Sequence, residues 1–133
     1  MALDTNKSEK AHPPATEHGA VYSALRELLK PYEGDLAVKT DNPAHYYLES
    51  RSLSPNGRAL FFAAAKIKKN YVSYYLPILY MFPELSTRIS PGLRKTMQGQ
   101  SCFNFTRVDQ DSLDELEKLT RAAFLMLKSK ALL

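Results

Sequence analysis

The sequence predicts an α+β domain in which an antiparallel sheet of about five strands packs against N- and C-terminal helices. Three features support this prediction. An amphipathic helical pattern comes first, short strand patterns separated by turn signals fill the middle, and a second amphipathic helix closes the chain. Strands joined by short turns pair antiparallel, and helices at the two ends of such a run cover the sheet. A length of 133 residues suits one domain.

The N-terminal region combines a polar segment with the first helix. Residues 1–17 are polar and aperiodic, so we expect a flexible tail there and a single domain over residues 18–133. Apolar side chains recur at helical spacing from Val21 to Leu29. Pro31 ends the predicted helix, because a proline ring clashes in a helix interior.

Four strands are expected in the first half of the domain, each bounded by turn residues. Their predicted bounds are Leu36–Thr40, His45–Arg51, Ala59–Ile67 and Tyr71–Leu76. The strongest turn signal is Ser54-Pro55-Asn56-Gly57, since an Asn-Gly pair suits the positive φ angles of a tight hairpin. It predicts that the second and third strands pair directly.

A short helix and a fifth strand are expected after the fourth strand. Ser90 is a suitable N-cap, and Pro91 suits the first helical position. The segment Cys102–Thr106 alternates like a half-buried strand. Its two phenylalanines, Phe103 and Phe105, are therefore expected on one face, opposite Asn104.

The last helix carries the clearest local start signal. Ser112 is followed three residues later by Glu115, which is the pattern of a capping box. Leu116, Leu119, Ala123 and Leu127 then mark one apolar face.

Composition excludes several classes of protein. Hydrophobic residues make up 44% of the chain and charged residues 24%, which is ordinary for a globular protein. One cysteine allows no internal disulfide, and with three histidines it leaves no room for a typical zinc site. Neither a secretory signal nor a membrane-spanning segment is visible in the sequence. A cytoplasmic location is therefore expected.

Charge is distributed unevenly along the chain. The net charge is +4, but residues 58–107 carry +7 and the remainder −3. A block of one sign predicts a positive surface that attracts anions. Lysines that merely keep exposed strand edges soluble are the alternative explanation.

The basic block predicts an anion-binding module for a phosphorylated small molecule or a nucleic acid. Its aromatic residues offer stacking surfaces beside lysine and arginine, and the helix that begins at Ser90-Pro91 has free N–H groups for a phosphate. The candidate ligand-binding residues are Lys68, Lys69, Tyr74, Tyr80, Arg94, Lys95, Ser101 and Asn104.

Catalysis is not expected from the motifs present. The sequence lacks a nucleophile elbow and a glycine-rich phosphate loop. The remaining enzymatic hypothesis is a Cys102 nucleophile activated by His45 as general base. A buried structural cysteine is the competing interpretation.

A run of short motifs extends from the fourth predicted strand to the last helix: Val72-Ser73, Leu76-Pro77, Pro83-Glu84-Leu85, Gly99, Ser101-Cys102, Phe103, Phe105 and the helix from Leu113 to Phe124. With these motifs, the segment from residue 70 to residue 105 resembles the YdhG-like family, a large and mostly bacterial group of small domains of unknown function. The resemblance spans roughly residues 21–127 and implies a sandwich similar to frataxin.

One branch of that family is described as a frataxin-like iron chaperone, which makes iron binding the alternative function. The carboxylates available for it are Glu27, Glu33, Asp35, Asp109, Asp111 and Asp114. This chain departs from an acidic ridge, because Glu27 is flanked by Arg26 and Lys30. No cofactor is expected under the anion-binding hypothesis.

Overall fold

The computed structural model describes residues 13–53 and 55–133, which form four α-helices and five β-strands. The helices are α1 (Pro13–Leu29), α2 (Ile78–Met81), α3 (Pro91–Arg94) and α4 (Gln110–Ser129). The strands are β1 (Ala37–Asn42), β2 (His45–Leu53), β3 (Ala59–Ile67), β4 (Val72–Tyr75) and β5 (Cys102–Phe105). Short 3-10 helices cover Lys30–Tyr32 and Pro83–Arg88.

The five strands form one antiparallel sheet whose spatial order follows the chain, β1-β2-β3-β4-β5. The predicted α+β class is thus confirmed, with a sheet between N- and C-terminal helices. The hairpin between β2 and β3 forms where the turn signal lies, and Gly57 adopts a φ of 82° there. A side chain at that φ is strained, so glycine suits the position.

One face of the sheet, the core face, is covered by the helices. Its side chains include Tyr46, Leu48, Ala63, Ala65, Val72, Tyr74, Phe103 and Phe105, all buried in one apolar cluster. Every α-helix supplies side chains to this cluster, for example Leu25 from α1 and Leu116 from α4. Between the sheet and α4, the rings of Phe62 and Phe124 meet edge to face with their centroids 6.0 Å apart.

The opposite face, the open face, carries the alternate residues of the same strands. They are His45, Tyr47, Glu49, Phe61, Ala64, Lys66, Ser73, Tyr75, Cys102 and Asn104. None of their apolar members belongs to the core cluster, although Ala64 is only 1% exposed. The side chains of the open face therefore lie outside the apolar cluster that the helices form with the core face.

The first helix starts earlier than the sequence predicts. It begins at Pro13, so residues 13–17 are helical rather than part of a tail. Proline is tolerated in the first turn of a helix, because the N–H groups there have no partner within the helix. Residues 1–12 of the predicted tail lie outside the described residues.

The capping prediction for the last helix is wrong at its first residue. Helix α4 begins at Gln110, with Asp109 at the N-cap position, and Ser112 is buried inside the first turn. The Ser112 hydroxyl donates to the Asp109 carboxylate at 3.0 Å. Glu115, the second member of the predicted box, bonds to Ser90 of another helix instead.

Candidate functional site: the open face of the sheet

Tyr74, a predicted ligand-binding residue, is not on the open face. It is in register with Ala65 and Phe103 on the core face and is fully buried. Its hydroxyl is hydrogen-bonded to that of Thr120 on α4 at 2.6 Å. Burial raises the pKa of Tyr74, so the phenol stays neutral. The prediction was wrong because side chains alternate along a strand, which puts Tyr75 on the open face instead.

The open face is organised in two rows that cross the strands. His45, Lys66, Ser73 and Asn104 are successive partners from β2 to β5, and Tyr47, Ala64, Tyr75 and Cys102 form the next row. Residues two apart along a strand are separated by roughly 6.7 Å. We call the first row the polar row. The second row contains Tyr47 and Tyr75 and is called the tyrosine row.

Aromatic rings on the open face contact one another in defined geometries. Tyr47 stacks on Phe61 with ring centroids 4.4 Å apart and planes at 10°. The His45 ring meets Tyr47 edge-on at 6.0 Å. Such pairs hold the rings in defined positions on the sheet surface.

Two lysines give one end of the open face a positive charge. Lys66 is exposed, and the Lys68 ammonium lies 6.0 Å from the centre of the Tyr75 ring. Burial lowers the pKa of His45, and the charges of Lys66 and Lys68 lower it further. Hydrogen bonding to the Tyr75 side chain raises the pKa of Lys68. At pH 7 the Lys68 ammonium is therefore charged, and the His45 ring near it is neutral.

Asn104, predicted as a binding residue, lies on the open face in an amide network. The Ser73 hydroxyl donates to its Oδ1 at 2.7 Å, and its Nδ2 donates to Gln98 at 2.8 Å. The Cys102 thiol also faces Oδ1, at 3.5 Å. These contacts fix the orientation of the amide at the β5 end of the polar row.

The other predicted binding residues lie away from the open face. Tyr80 is 70% exposed on α2, and the Arg94 guanidinium donates to the Ser86 carbonyl at 2.7 Å. Lys95 follows at the end of α3. Ser101 is half-buried before β5, and Lys69 is exposed in the β3–β4 turn. The predicted set therefore does not form one site. Asn104 lies on the open face and Lys68 reaches it over the Tyr75 ring, whereas the other members lie in the core, in loops or on helices.

The predicted phosphate site at the start of α3 already holds an internal anion. The Ser90 backbone N–H and hydroxyl both donate to the Glu115 carboxylate, at 2.7 and 2.6 Å. The Ser90 hydroxyl also accepts a hydrogen bond from the Leu93 N–H, so its predicted role as N-cap is confirmed. A second anion at this place would have to displace Glu115.

Several carboxylates of the iron hypothesis make local hydrogen bonds. The Glu33 carboxylate accepts from the Tyr46 hydroxyl, and that of Asp114 accepts from Gln110 at 2.8 Å. Glu27 and Asp114 line one groove between α1 and α4. Across the described ranges, no three His, Cys, Asp or Glu side chains come together as a metal would require. Asp35 and Asp111 are exposed.

The structure does not bring Cys102 and His45 together. His45 is on β2 and Cys102 on β5, with two strands between them. Strands are spaced by about 4.8 Å, so these two residues are roughly 14 Å apart across the sheet. Burial also raises the pKa of the Cys102 thiol, which is opposite to what a nucleophile needs. The pair is not a nucleophile and its base.

The predicted binding set omits four residues of the two open-face rows, namely His45, Tyr47, Lys66 and Tyr75, although His45 enters the enzymatic hypothesis as a general base. A usable signal was present in β5, because Phe103 and Phe105 identify its buried face and Asn104 its other face. In β4, the same alternation puts Val72 and Tyr74 on the buried face with Phe103, so Tyr75 lies on the face of Asn104. Extending it further requires the register between strands, which only the structure supplies.

Comparison with known proteins found no matching family model, no matching curated protein and no matching solved structure. Of the helices in the described residues, none has both the length and the apolar character needed to cross a membrane.

Proposed function

We propose that this protein is a non-catalytic module that binds an anionic ligand on the open face of its sheet, at Lys66 and Lys68. The observation that supports it most is the placement of both lysines beside His45 and Tyr75, on a surface whose side chains lie outside the core cluster. Lysine ammonium groups there attract phosphate by charge and by donated hydrogen bonds.

The rigidity of the surface supports binding as well. Lys66 and Tyr75 project from β3 and β4, which have paired neighbours on both sides. The backbone of central strands is already fixed, so a ligand orders only the side chains, and a half-buried ring such as Tyr75 loses less freedom than a long exposed chain. The one carboxylate of the open face, Glu49, lies 3.8 Å from Lys39, which offsets its charge.

We also propose that the chain belongs to the YdhG-like family and acts in the bacterial cytoplasm. The support is the run of motifs from Val72-Ser73 to Ser101-Cys102 and the single cysteine. Gly99 gives one motif a physical basis, since it adopts a φ of 79°, where other residues are strained.

The test is an NMR titration of labelled protein with tripolyphosphate. The open-face double variant Lys66→Ala/Lys68→Ala is compared with Arg94→Ala/Lys95→Ala, which removes the same charge from α3. We expect the first variant to lose about tenfold or more in affinity, because charged hydrogen bonds are lost, and the second to stay within about twofold. Amide shifts should cluster on β3 and β4.

Equal losses in the two variants would contradict the proposal, because net charge rather than the open face would then account for binding. Failure of the wild-type protein to bind tripolyphosphate would also contradict it. A parallel titration with anaerobic Fe²⁺ tests the alternative function, and shifts confined to Glu27 and Asp114 would favour iron binding over the proposed function.

A further inference from the structure

We propose that the ligand of the open face is a single-stranded nucleic acid that crosses the β-strands, with its phosphates along the polar row and its bases on the tyrosine row. This inference rests on the proposed function and names its ligand class. It also predicts the path of the nucleic acid, which would run across the sheet between β2 and β5.

The shape of the open face favours an extended polymer over a small molecule. Small-molecule sites are concave and enclose most of the ligand. Ala64 and Ser73 are each only 1% exposed on this face, so the larger side chains around them close over the surface. The clefts beside α1, between α1 and α4 and around α3 are lined by residues outside the polar and tyrosine rows of the open face. A small ligand would therefore be held from one side only.

The tyrosine row supplies stacking surfaces at separate points. Tyr47 and Tyr75 flank Ala64 from the two neighbouring strands, so their Cα atoms are about 10 Å apart. Phe61 extends the first of these surfaces through its stack on Tyr47. Every base has a flat face, so two such platforms bind an unpaired strand with little sequence preference.

The polar row runs parallel to the tyrosines at the distance of two residues along a strand. Lys66 is adjacent to Ser73 in that row, and Lys68 lies at the same end of the sheet, over Tyr75. A strand whose bases stack on the tyrosines therefore has its phosphates beside the lysines. Duplex nucleic acid does not fit, because its base faces are already stacked within the helix.

The experiment measures binding of fluorescein-labelled dT12 and rU12 by anisotropy, with an abasic strand of the same length as the reference. We expect the strands with bases to bind roughly tenfold tighter than the abasic strand, because stacking on aromatic rings adds affinity. The dT12 and rU12 arms show whether DNA or RNA is preferred. A basic surface without stacking predicts equal affinity for abasic and base-containing strands.

Tyrosine variants then locate the bases. Tyr47→Leu should weaken dT12 binding by about tenfold and leave tripolyphosphate binding unchanged, since one stacking surface is lost while Lys66, Lys68 and the Tyr75 side chain beside them are kept. Tyr80→Leu on α2 is the matched control and should have no effect on either ligand. The folded state of each variant is checked by its NMR spectrum.

Salt dependence gives a second measurement. For single strands, the logarithm of affinity falls with the logarithm of salt by about 0.7 for each phosphate contacted. Lys66→Ala/Lys68→Ala should therefore reduce that slope by roughly 1.4. An unchanged slope would contradict phosphate contacts at these lysines.

The outcomes separate this inference from the proposed function. If tripolyphosphate binds at the lysines and dT12 and rU12 bind no tighter than the abasic strand, the nucleic-acid inference fails and the proposed function stands. If no anion binds, both fail. Loss of dT12 affinity in Tyr80→Leu to the same degree as in the open-face variant would also overturn the inference.

Discussion

Tyr74 and Tyr75 are neighbours in β4, and they illustrate how differently the two faces of the sheet are built. Tyr74 is buried beneath α4 with its hydroxyl bonded to Thr120. Tyr75 is half-buried on the open face, and Lys68 lies over its ring. The same residue type thus supports the core on one side and stays partly exposed on the other.

This difference predicts that folding stability depends mainly on the core face and the proposed binding mainly on the open face. Core-face side chains are covered by helices and contribute through burial of apolar surface. Open-face side chains contact mainly their cross-strand neighbours, which contributes roughly 0.2–1 kcal/mol per pair. Changes on the open face should therefore affect binding more than folding, and the reverse should hold on the core face.

The largest contrast is expected between two phenylalanines. Phe103→Ala removes a fully buried ring from the core and should lower the free energy of unfolding by about 3–5 kcal/mol. Phe61→Ala removes a ring stacked on Tyr47 on the open face and should cost only about 1 kcal/mol. Urea denaturation of both variants measures the two values. A cost for Phe61→Ala as large as that for Phe103→Ala would contradict the division into two faces.

A smaller contrast is expected between the two tyrosines of β4. Tyr74→Phe leaves the Thr120 hydroxyl without its partner in the core and should cost about 1–2 kcal/mol. Tyr75→Phe should change the free energy of unfolding by less than about 0.5 kcal/mol, because Tyr75 is only half-buried and its side chain meets Lys68 rather than a core group. The control is Tyr74→Phe/Thr120→Val, which removes both hydroxyls and should recover part of the loss. Equal costs for the two single variants would show that the hydrogen bond to Thr120 is not what distinguishes the faces.

The smallest effect concerns the pH dependence of stability at His45. Its pKa is lowered in the folded state by burial and by Lys66 and Lys68, so the unfolded chain binds protons more readily. The stability due to neutral His45 is complete above the unfolded pKa of about 6.5 and is lost as pH falls through the folded value. Unfolding measured at pH 7.5 and 5.5 should show less loss in His45→Gln than in the wild type. If His45→Gln and the wild type lost the same unfolding free energy between these pH values, a group other than His45 would be responsible.

Local signals in the sequence were sufficient for several elements. The bounds of β3 agree with the prediction, Ser90 caps α3, and Phe103 and Phe105 are buried opposite Asn104. Each depends on alternation, on turn residues or on a cap within a few positions of the chain. Such preferences act before distant segments meet.

Predictions that depended on distant partners were less successful. Glu115 was expected to complete a capping box with Ser112, but α3 packs on α4 and Ser90 takes the carboxylate. In the same way, Lys68 and Arg94 lie within one basic block of the sequence, yet the chain between them turns into the helical layer. Nothing local to these residues indicates which partner they find.

The sequence by itself determined the α+β class, the turn at Gly57 and a basic central block with interspersed aromatic residues, because periodicity, turn chemistry and charge are properties of the chain. Only the tertiary structure decided which of those residues share a surface. The register of the paired strands aligns Lys66 with Ser73, and Tyr47 with Ala64 and Tyr75. The helices pack against the opposite face, where they form the core cluster. A shift of one residue would exchange the two faces, so the candidate site depends on register.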